Sequence, residues 1–304
     1  MGLIFTLGCG LAFSQTGPAG VGDNTTNKLW LRAGDLSVLG NGSAVSSWTD
    51  ASGNGNNATQ AVGADQPLVE TNVVNSQSTV RFNGTTDFFS TGLTTATQNS
   101  TIFTVFSCNQ TGGGAPDGPV WQYNAASGTS GFFPRFSNGN QYIATTAAAW
   151  INGATSFAQN TWYTTTALYN TGLTQLWKNG ALNVSAATNS ISLGAFTIGN
   201  RTVASTDYYK GDIAEIIYYN TALNTAQNTI VSNYLAAKYG LTLTSNAEYA
   251  YASTNPYNVA GIGRDDAADI NSAAESGGIL EVSNPSALAN VKIVPTTCST
   301  YLHN

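Results

Sequence analysis

The stretch Leu173-Thr174-Gln175-Leu176-Trp177-Lys178-Asn179-Gly180-Ala181-Leu182-Asn183-Val184 decides the fold. Asn179-Gly180 is the two-residue signal of a type I′ hairpin, whose central positions both need a positive φ that Asn and Gly adopt readily. The runs on either side therefore read as paired antiparallel strands, Leu173 to Lys178 and Ala181 to Val184. The same texture continues outward. From about Lys28 to Gly199, short apolar or alternating runs are separated by clusters of Gly, Asn, Ser and Pro, and helical periodicity is nearly absent. Further candidate strands are Leu29 to Leu31, Ser78 to Phe82, Thr101 to Ser107, Gly131 to Phe136, Trp162 to Tyr169, Ala195 to Ile198 and Asp212 to Tyr219. Many short strands at this spacing predict an all-β fold, an antiparallel two-sheet sandwich.

One helix interrupts the pattern. In Thr225 to Tyr239, Ile230, Val231, Tyr234, Leu235 and Tyr239 share one helical stripe. Asn224 is placed to cap its start, Gln227 completes a capping box, and Gly240 suits the left-handed position beyond its end. Coming directly after a strand, this C-terminal helix is expected to pack against the edge or base of the sandwich. Residues 245–256 read as a linker. From Tyr257 to Asn304 a new β module begins, and about 50 residues are too few to bury a second β core alone, so the tail reads as a truncated module.

Composition narrows the function. Charged residues make up 9% of 304 and the net charge is -6, against about 25% charged in an ordinary globular chain. With 10 Lys and Arg in all, no basic stripe is available to neutralise phosphates, which argues against nucleic acid as a partner. Hydrophobic residues at 42% and aromatics at 11% supply a large core instead. The single His, His303, stands next to the end, where no catalytic base would be held rigidly beside a nucleophile. Nothing resembles the Cys and His spacing of a zinc site.

Leu3 to Phe13 is mostly apolar and leads into Ala12-Phe13-Ser14. Residues 1–14 are therefore expected to be a signal peptide, cleaved before Gln15. A lipoprotein alternative rests on Thr6-Leu7-Gly8-Cys9. The run is shorter than the ~20 residues of a transmembrane helix, and no other segment approaches that length. The product is expected to be secreted or held at the cell surface. With Cys9 removed, Cys108 and Cys298 are the two cysteines left to pair.

Several motifs carry a resemblance. They are Leu29-Trp30-Leu31-Arg32-Ala33, Val45 to Asp50 with Ser52-Gly53-Asn54-Gly55-Asn56, Val80-Arg81-Phe82-Asn83-Gly84, Asn160-Thr161-Trp162, Leu176-Trp177-Lys178-Asn179-Gly180, and Gly211 to Tyr219. In this order they resemble a LamG-like, concanavalin A-type jelly roll, over residues 24–244. The helix ending Tyr234-Leu235-Ala236-Ala237-Lys238-Tyr239-Gly240 and the later Gly261-Ile262-Gly263-Arg264-Asp265-Asp266 are similar to those of large surface proteins of gliding Gram-negative bacteria. The resemblance implies an exported recognition or adhesion module, part of a longer multidomain chain, that binds carbohydrate or another extracellular polymer. The alternative is a purely structural or protein-protein adhesion unit without a small-ligand site.

A third reading is a glycoside hydrolase, since the resemblance extends to glucanases with an E-x-D-x-x-E strand. Here that text is Lys210-Gly211-Asp212-Ile213-Ala214-Glu215. Lys210 replaces the first carboxylate, and Asp212 and Glu215, an odd number apart, face opposite sides of a regular strand unless a bulge intervenes. A retaining mechanism needs both carboxyls at one cleft. Glu215 reads instead as a buried carboxylate paired with Arg81 or Lys210.

Two sets of binding residues remain. Asp50, Ser52, Asn54 and Asn56 place oxygens at alternating positions with Gly55 in sixth place, the first half of a calcium loop, but Ala61 stands where the bidentate Glu belongs. The same residues form turns without an ion, so the expected cofactor is none, or a structural calcium. Asp265, Asp266 and Asp269 make a second acidic cluster. For a sugar, Trp30, Trp48 and Trp162 read as core, while Trp121, Tyr123, Tyr142, Trp150, Tyr208 and Tyr209 lie among Gly, Asn and Ala or beside the last strand and are the expected stacking surface.

Overall fold

The computed structural model describes residues 17–94, 97–109, 118–125, 128–134, 142–144, 150–187, 194–200 and 207–249, with short strand segments after 258. Residues 1–14, the Asp265, Asp266 and Asp269 cluster, Cys298 and His303 lie outside these. Two antiparallel sheets form the sandwich. The larger runs in the order Ala181–Ala187, Leu173–Lys178, Trp162–Asn170, Ser100–Cys108, Lys210–Tyr219, Gln77–Asn83, Leu68–Val74. Asn27–Arg32 also pairs with Lys210–Tyr219, from Asn27 opposite Tyr219 to Arg32 opposite Glu215. The second sheet runs Trp150–Asn152, Tyr142–Ala144, Gly128–Phe133, Trp121–Ala125, Ala195–Ile198, Phe89–Thr91, Ala58–Thr59, Ser47–Trp48. Asn179 and Gly180 take φ of 47° and 78°, the turn expected of them.

The inner faces meet in an aromatic core. Trp48, Phe82, Phe89, Phe106, Trp121, Tyr123, Phe132 and Phe196 are all buried there, and Trp121 stacks on Phe196 with ring centroids 5.6 Å apart. Each such ring removes some 150–250 Å² from water, which makes these residues the main source of cohesion.

A second apolar layer lies on the outer face of the larger sheet. Helix α1 (Thr225–Tyr239) sets Ile230, Val231, Leu235 and Tyr239 on Phe103, Val105, Ala214 and Ile217. The sequence led us to expect the helix at an edge or base; it covers a face, because the outward residues of the two central strands are themselves apolar. Trp30 and Trp162, read as core, belong to this outer layer and are partly buried. The helix caps form as the residues require: Asn224 Oδ1 accepts from Gln227 N at 2.9 Å, Gln227 Oε1 accepts from Asn224 N at 3.3 Å, and Gly240 sits at φ 64°.

The first residues after the helix are tied down. Asn233 Nδ2 donates to Asn246 O at 2.7 Å, and its Oδ1 accepts from Glu248 N at 2.8 Å and Tyr249 N at 3.0 Å. Beyond them, Val259–Arg264 pairs with Lys292–Pro295 and with Ile270–Asn271, and Ala273–Ser276 with Leu280–Ser283. Cys108 is buried, its Sγ 3.5 Å from the Lys210 carbonyl oxygen to which it donates. No described helix is long and apolar enough to cross a membrane.

Candidate ligand cleft

Between the start of α1 and the outer face of the larger sheet lies a cavity of about 350 Å³. The strand Leu173–Lys178 builds its floor by simple alternation: Leu176 turns into the core, while Leu173, Gln175 and Trp177 turn outward. The neighbouring strand carries a bulge here. Leu176 pairs with Val184 but Trp177 pairs with Leu182, so Asn183 is the extra residue, and such an irregularity re-aims the adjoining side chain. Asn183 Oδ1 is held by Thr155 N and Oγ1, both at 3.0 Å. Trp177 is left half-buried. Asn224, Asn228 and Ser232 from the helix, with Asn170 and Asn246, supply the walls. None of the described lining residues is charged. Asn228 Oδ1 accepts no hydrogen bond among the described residues, so one acceptor of the wall is not spent within the protein.

The aromatic residues expected to stack on a sugar lie elsewhere. Trp121 is 1% exposed and Tyr123 and Tyr209 are 0% exposed. Trp121 Nε1 donates to Thr104 Oγ1 at 3.1 Å, the Tyr123 and Ser100 hydroxyls lie 3.2 Å apart, and Tyr209 OH donates to Ser107 O at 3.0 Å. Their polar tips are satisfied inside the sandwich, so these three rings offer no face to a ligand. Tyr208 is half-buried, and an isolated bridge joins it to Asn200. Tyr142 and Trp150 are placed as strand residues, Tyr142 opposite Asn152 and Trp150 opposite Ala144; their side chains lie outside what is described. Trp177 was overlooked as a site residue, although period-two alternation with Leu176 already put it on the face away from the core.

The loop from Asp50 is closed by its own hydrogen bonds. Asp50 Oδ1 accepts from Trp30 N and Ser52 N, and Oδ2 from Ser52 Oγ and Asn56 N, at 2.8–2.9 Å. Asn54 and Asn56 turn amide nitrogens onto the carbonyls of Asn27 and Lys28, at 2.9 and 2.8 Å. A calcium ion at Asp50 would have to displace these donors. Adding millimolar calcium, or removing it with chelator, is therefore expected to leave the melting temperature unchanged; a rise of several degrees in differential scanning calorimetry would show that the loop rearranges around an ion.

No family model and no curated protein matches this sequence. Among solved structures, a sialidase of Trypanosoma rangeli in complex with sialic acid is similar at TM-score 0.51 and 14% identity, over 72% of this chain and 35% of the sialidase. Domain 4 of AbnA, a GH43 extracellular arabinanase of Geobacillus stearothermophilus in complex with arabinotriose, gives TM-score 0.46 and 14% identity over 68% of this chain and 98% of that domain. The binding domain of botulinum neurotoxin serotype D gives 0.49 and 16%, over 73% and 55%. The sialidase likeness is one of fold, a β-sandwich, and the chain spans about a third of that enzyme.

The two carboxylates of the glucanase-like strand, Asp212 and Glu215, are both engaged within the protein. A bulge between Ile213 and Glu215 turns two successive residues outward: Ile213 and Ile216 face the inner core while Ala214 and Ile217 face the helix. Asp212 and Glu215 thus share the outer face, contrary to the alternation of a regular strand. They still meet no common cleft. Glu215 is fully buried beneath the helix and pairs with neither Arg81 nor Lys210; its Oε2 accepts from Lys238 Nζ at 2.6 Å and Tyr239 OH at 2.7 Å, and its Oε1 from Trp30 Nε1 at 2.6 Å and Tyr234 OH at 3.0 Å. Asp212 is gripped by Arg81, Nε to Oδ1 at 2.8 Å and Nη2 to Oδ2 at 3.2 Å. Arg81 also reaches Glu70, at 3.2 Å. Burial raises the Asp212 carboxyl above its ordinary range, with Arg81 opposing. A second hollow, about 450 Å³, is lined by Asp212 and Asp87. Asp87 accepts from Asn83 N and Nδ2 at 2.9 and 2.7 Å, closing its own turn.

Proposed function

We propose that this chain is a secreted or cell-surface recognition module of the LamG-like kind, and that it binds an extracellular carbohydrate chain in the cleft between α1 and the larger sheet. The observation that carries the reading is Trp177, a half-buried indole on the floor of a cavity walled by amides and hydroxyls. A ligand site needs concavity, an apolar surface and a few convergent polar groups. Sugar rings present that combination in reverse, with C–H faces to lie on an aromatic ring and hydroxyls for amides. With no carboxylate among the described lining residues, the cleft is built to hold a glycan rather than to cut it by the paired-carboxylate route.

Retention of the protein on insoluble polysaccharides tests this. Trp177→Ala is expected to weaken retention by about tenfold or more, the loss of about 1.4 kcal/mol, with the melting temperature nearly unchanged. Equal retention of wild type and variant would sink the assignment. Trp121→Ala is no substitute, since deleting an indole from a packed core costs about 3–5 kcal/mol and tests folding instead.

A further inference from the structure

We infer that the cleft selects uncharged glycans and rejects uronic-acid and sulfated ones. This rests on the carbohydrate reading and narrows it to a ligand class. Leu168, Leu173 and Trp177 give the apolar surface, and Gln175, Asn228 and Asn246 are among the polar groups; no Lys, Arg, Asp or Glu is among the described lining residues. A carboxylate or sulfate ester buried there would lose its hydration without gaining a cation, and an unpaired buried charge is costly. The positive potential at the start of α1 is partly spent, because Asn224 and Gln227 cap each other's backbone N–H groups. At longer range the chain carries -6, which disfavours the approach of polyanions. A hydroxyl suits the site better. Asn228 lines the cleft, and its Oδ1 is buried and lacks a donor among the described residues; rotation of the amide about the soft χ2 torsion would present that acceptor to a sugar hydroxyl.

The experiment is binding of the whole chain to a panel of neutral polymers (mannan, arabinan, cellooligosaccharides) and acidic ones (polygalacturonate, heparin) at low and high salt, with Trp177→Ala and Asn228→Ala beside wild type. The expected result is binding to at least one neutral polymer, changing less than about twofold with salt because no ion pair forms, and weakened about tenfold or more by Trp177→Ala. Asn228→Ala, which removes an Oδ1 with no hydrogen-bond partner among the described residues, is expected to weaken binding several-fold without lowering the melting temperature. Trp177-dependent binding to acidic polymers alone, falling with salt, would overturn the neutral preference and leave the carbohydrate reading standing. Absence of binding to either class, or binding indifferent to Trp177, would overturn both.

Discussion

Glu215→Ala is expected to destabilise the protein by about 3–5 kcal/mol, the usual cost of removing one partner of a buried ion pair. The carboxylate is completely shielded and Lys238 is 12% exposed, so water cannot replace the lost charge. Four donors from two elements converge on it: Trp30 from the first strand, and Tyr234, Lys238 and Tyr239 from the helix. Without Glu215 the ammonium is left over the rings of Tyr234 and Tyr239, at 5.4 and 5.3 Å, with no counter-charge among them. Urea titration followed by circular dichroism measures the loss. A double variant, Glu215→Met with Lys238→Met, is expected to recover only part of it: the uncompensated ammonium is removed, but the Trp30 indole N–H and the Tyr234 hydroxyl still lose their acceptor. A single-variant loss below about 1 kcal/mol would mean that the helix is held by its apolar stripe alone.

Raising the pH above about 10 is expected to unfold the sandwich cooperatively. Burial holds the phenols of Tyr123, Tyr209, Tyr219, Tyr234 and Tyr239 well above their ordinary range, and the neighbouring Glu215 charge pushes Tyr219, Tyr234 and Tyr239 further the same way. The sign follows from proton counting. Below the pKa of an unfolded tyrosine, folded and unfolded chains both carry the proton and nothing changes. Above it the unfolded chain releases protons that the folded chain keeps, so stability falls by about 1.4 kcal/mol per pH unit for each such tyrosine. Several acting together exhaust an ordinary domain stability within about one to two pH units. Phenolate absorbance and loss of circular dichroism should therefore rise together. Titration of all 14 tyrosines while the β signal stays native would contradict the burial described above.

What the sequence disclosed was whatever a few neighbouring residues decide. The Asn179-Gly180 turn, the Asn224 and Gln227 box, the Gly240 stop and the apolar stripe of the helix are local devices, and each stands where it was read. Trp121 and Tyr123 were misplaced for the opposite reason. Their strand is set among Gly and Asn and gains its identity only from pairing with Gly128–Phe133 and Ala195–Ile198, about 70 residues away in the second case. The partner of Glu215 was equally hidden: Lys238 lies 23 residues on, and the bulge after Ile213 upset the alternation by which the strand was judged. Trp177 was legible, since its outward position follows from period two, but a half-buried aromatic on a strand reads as core until a neighbouring helix is known to leave a gap beside it.

The pairing of the first strand with the last has a mechanical consequence. Asn27 lies opposite Tyr219, so a pull on the chain before Asn27 and after Tyr219 would act at one end of that antiparallel pair and peel it open, one hydrogen-bonded step at a time, which is the weak direction for a ladder. The helix removes that weakness. Tension entering from the C-terminal side reaches Tyr219 only through α1, whose last turn is anchored by Lys238 and Tyr239 to Glu215 in the very strand that would be peeled, across from Arg32 at the far end of the pair. Under such a pull that anchor makes the helix a strain relief, taking load before the strands do.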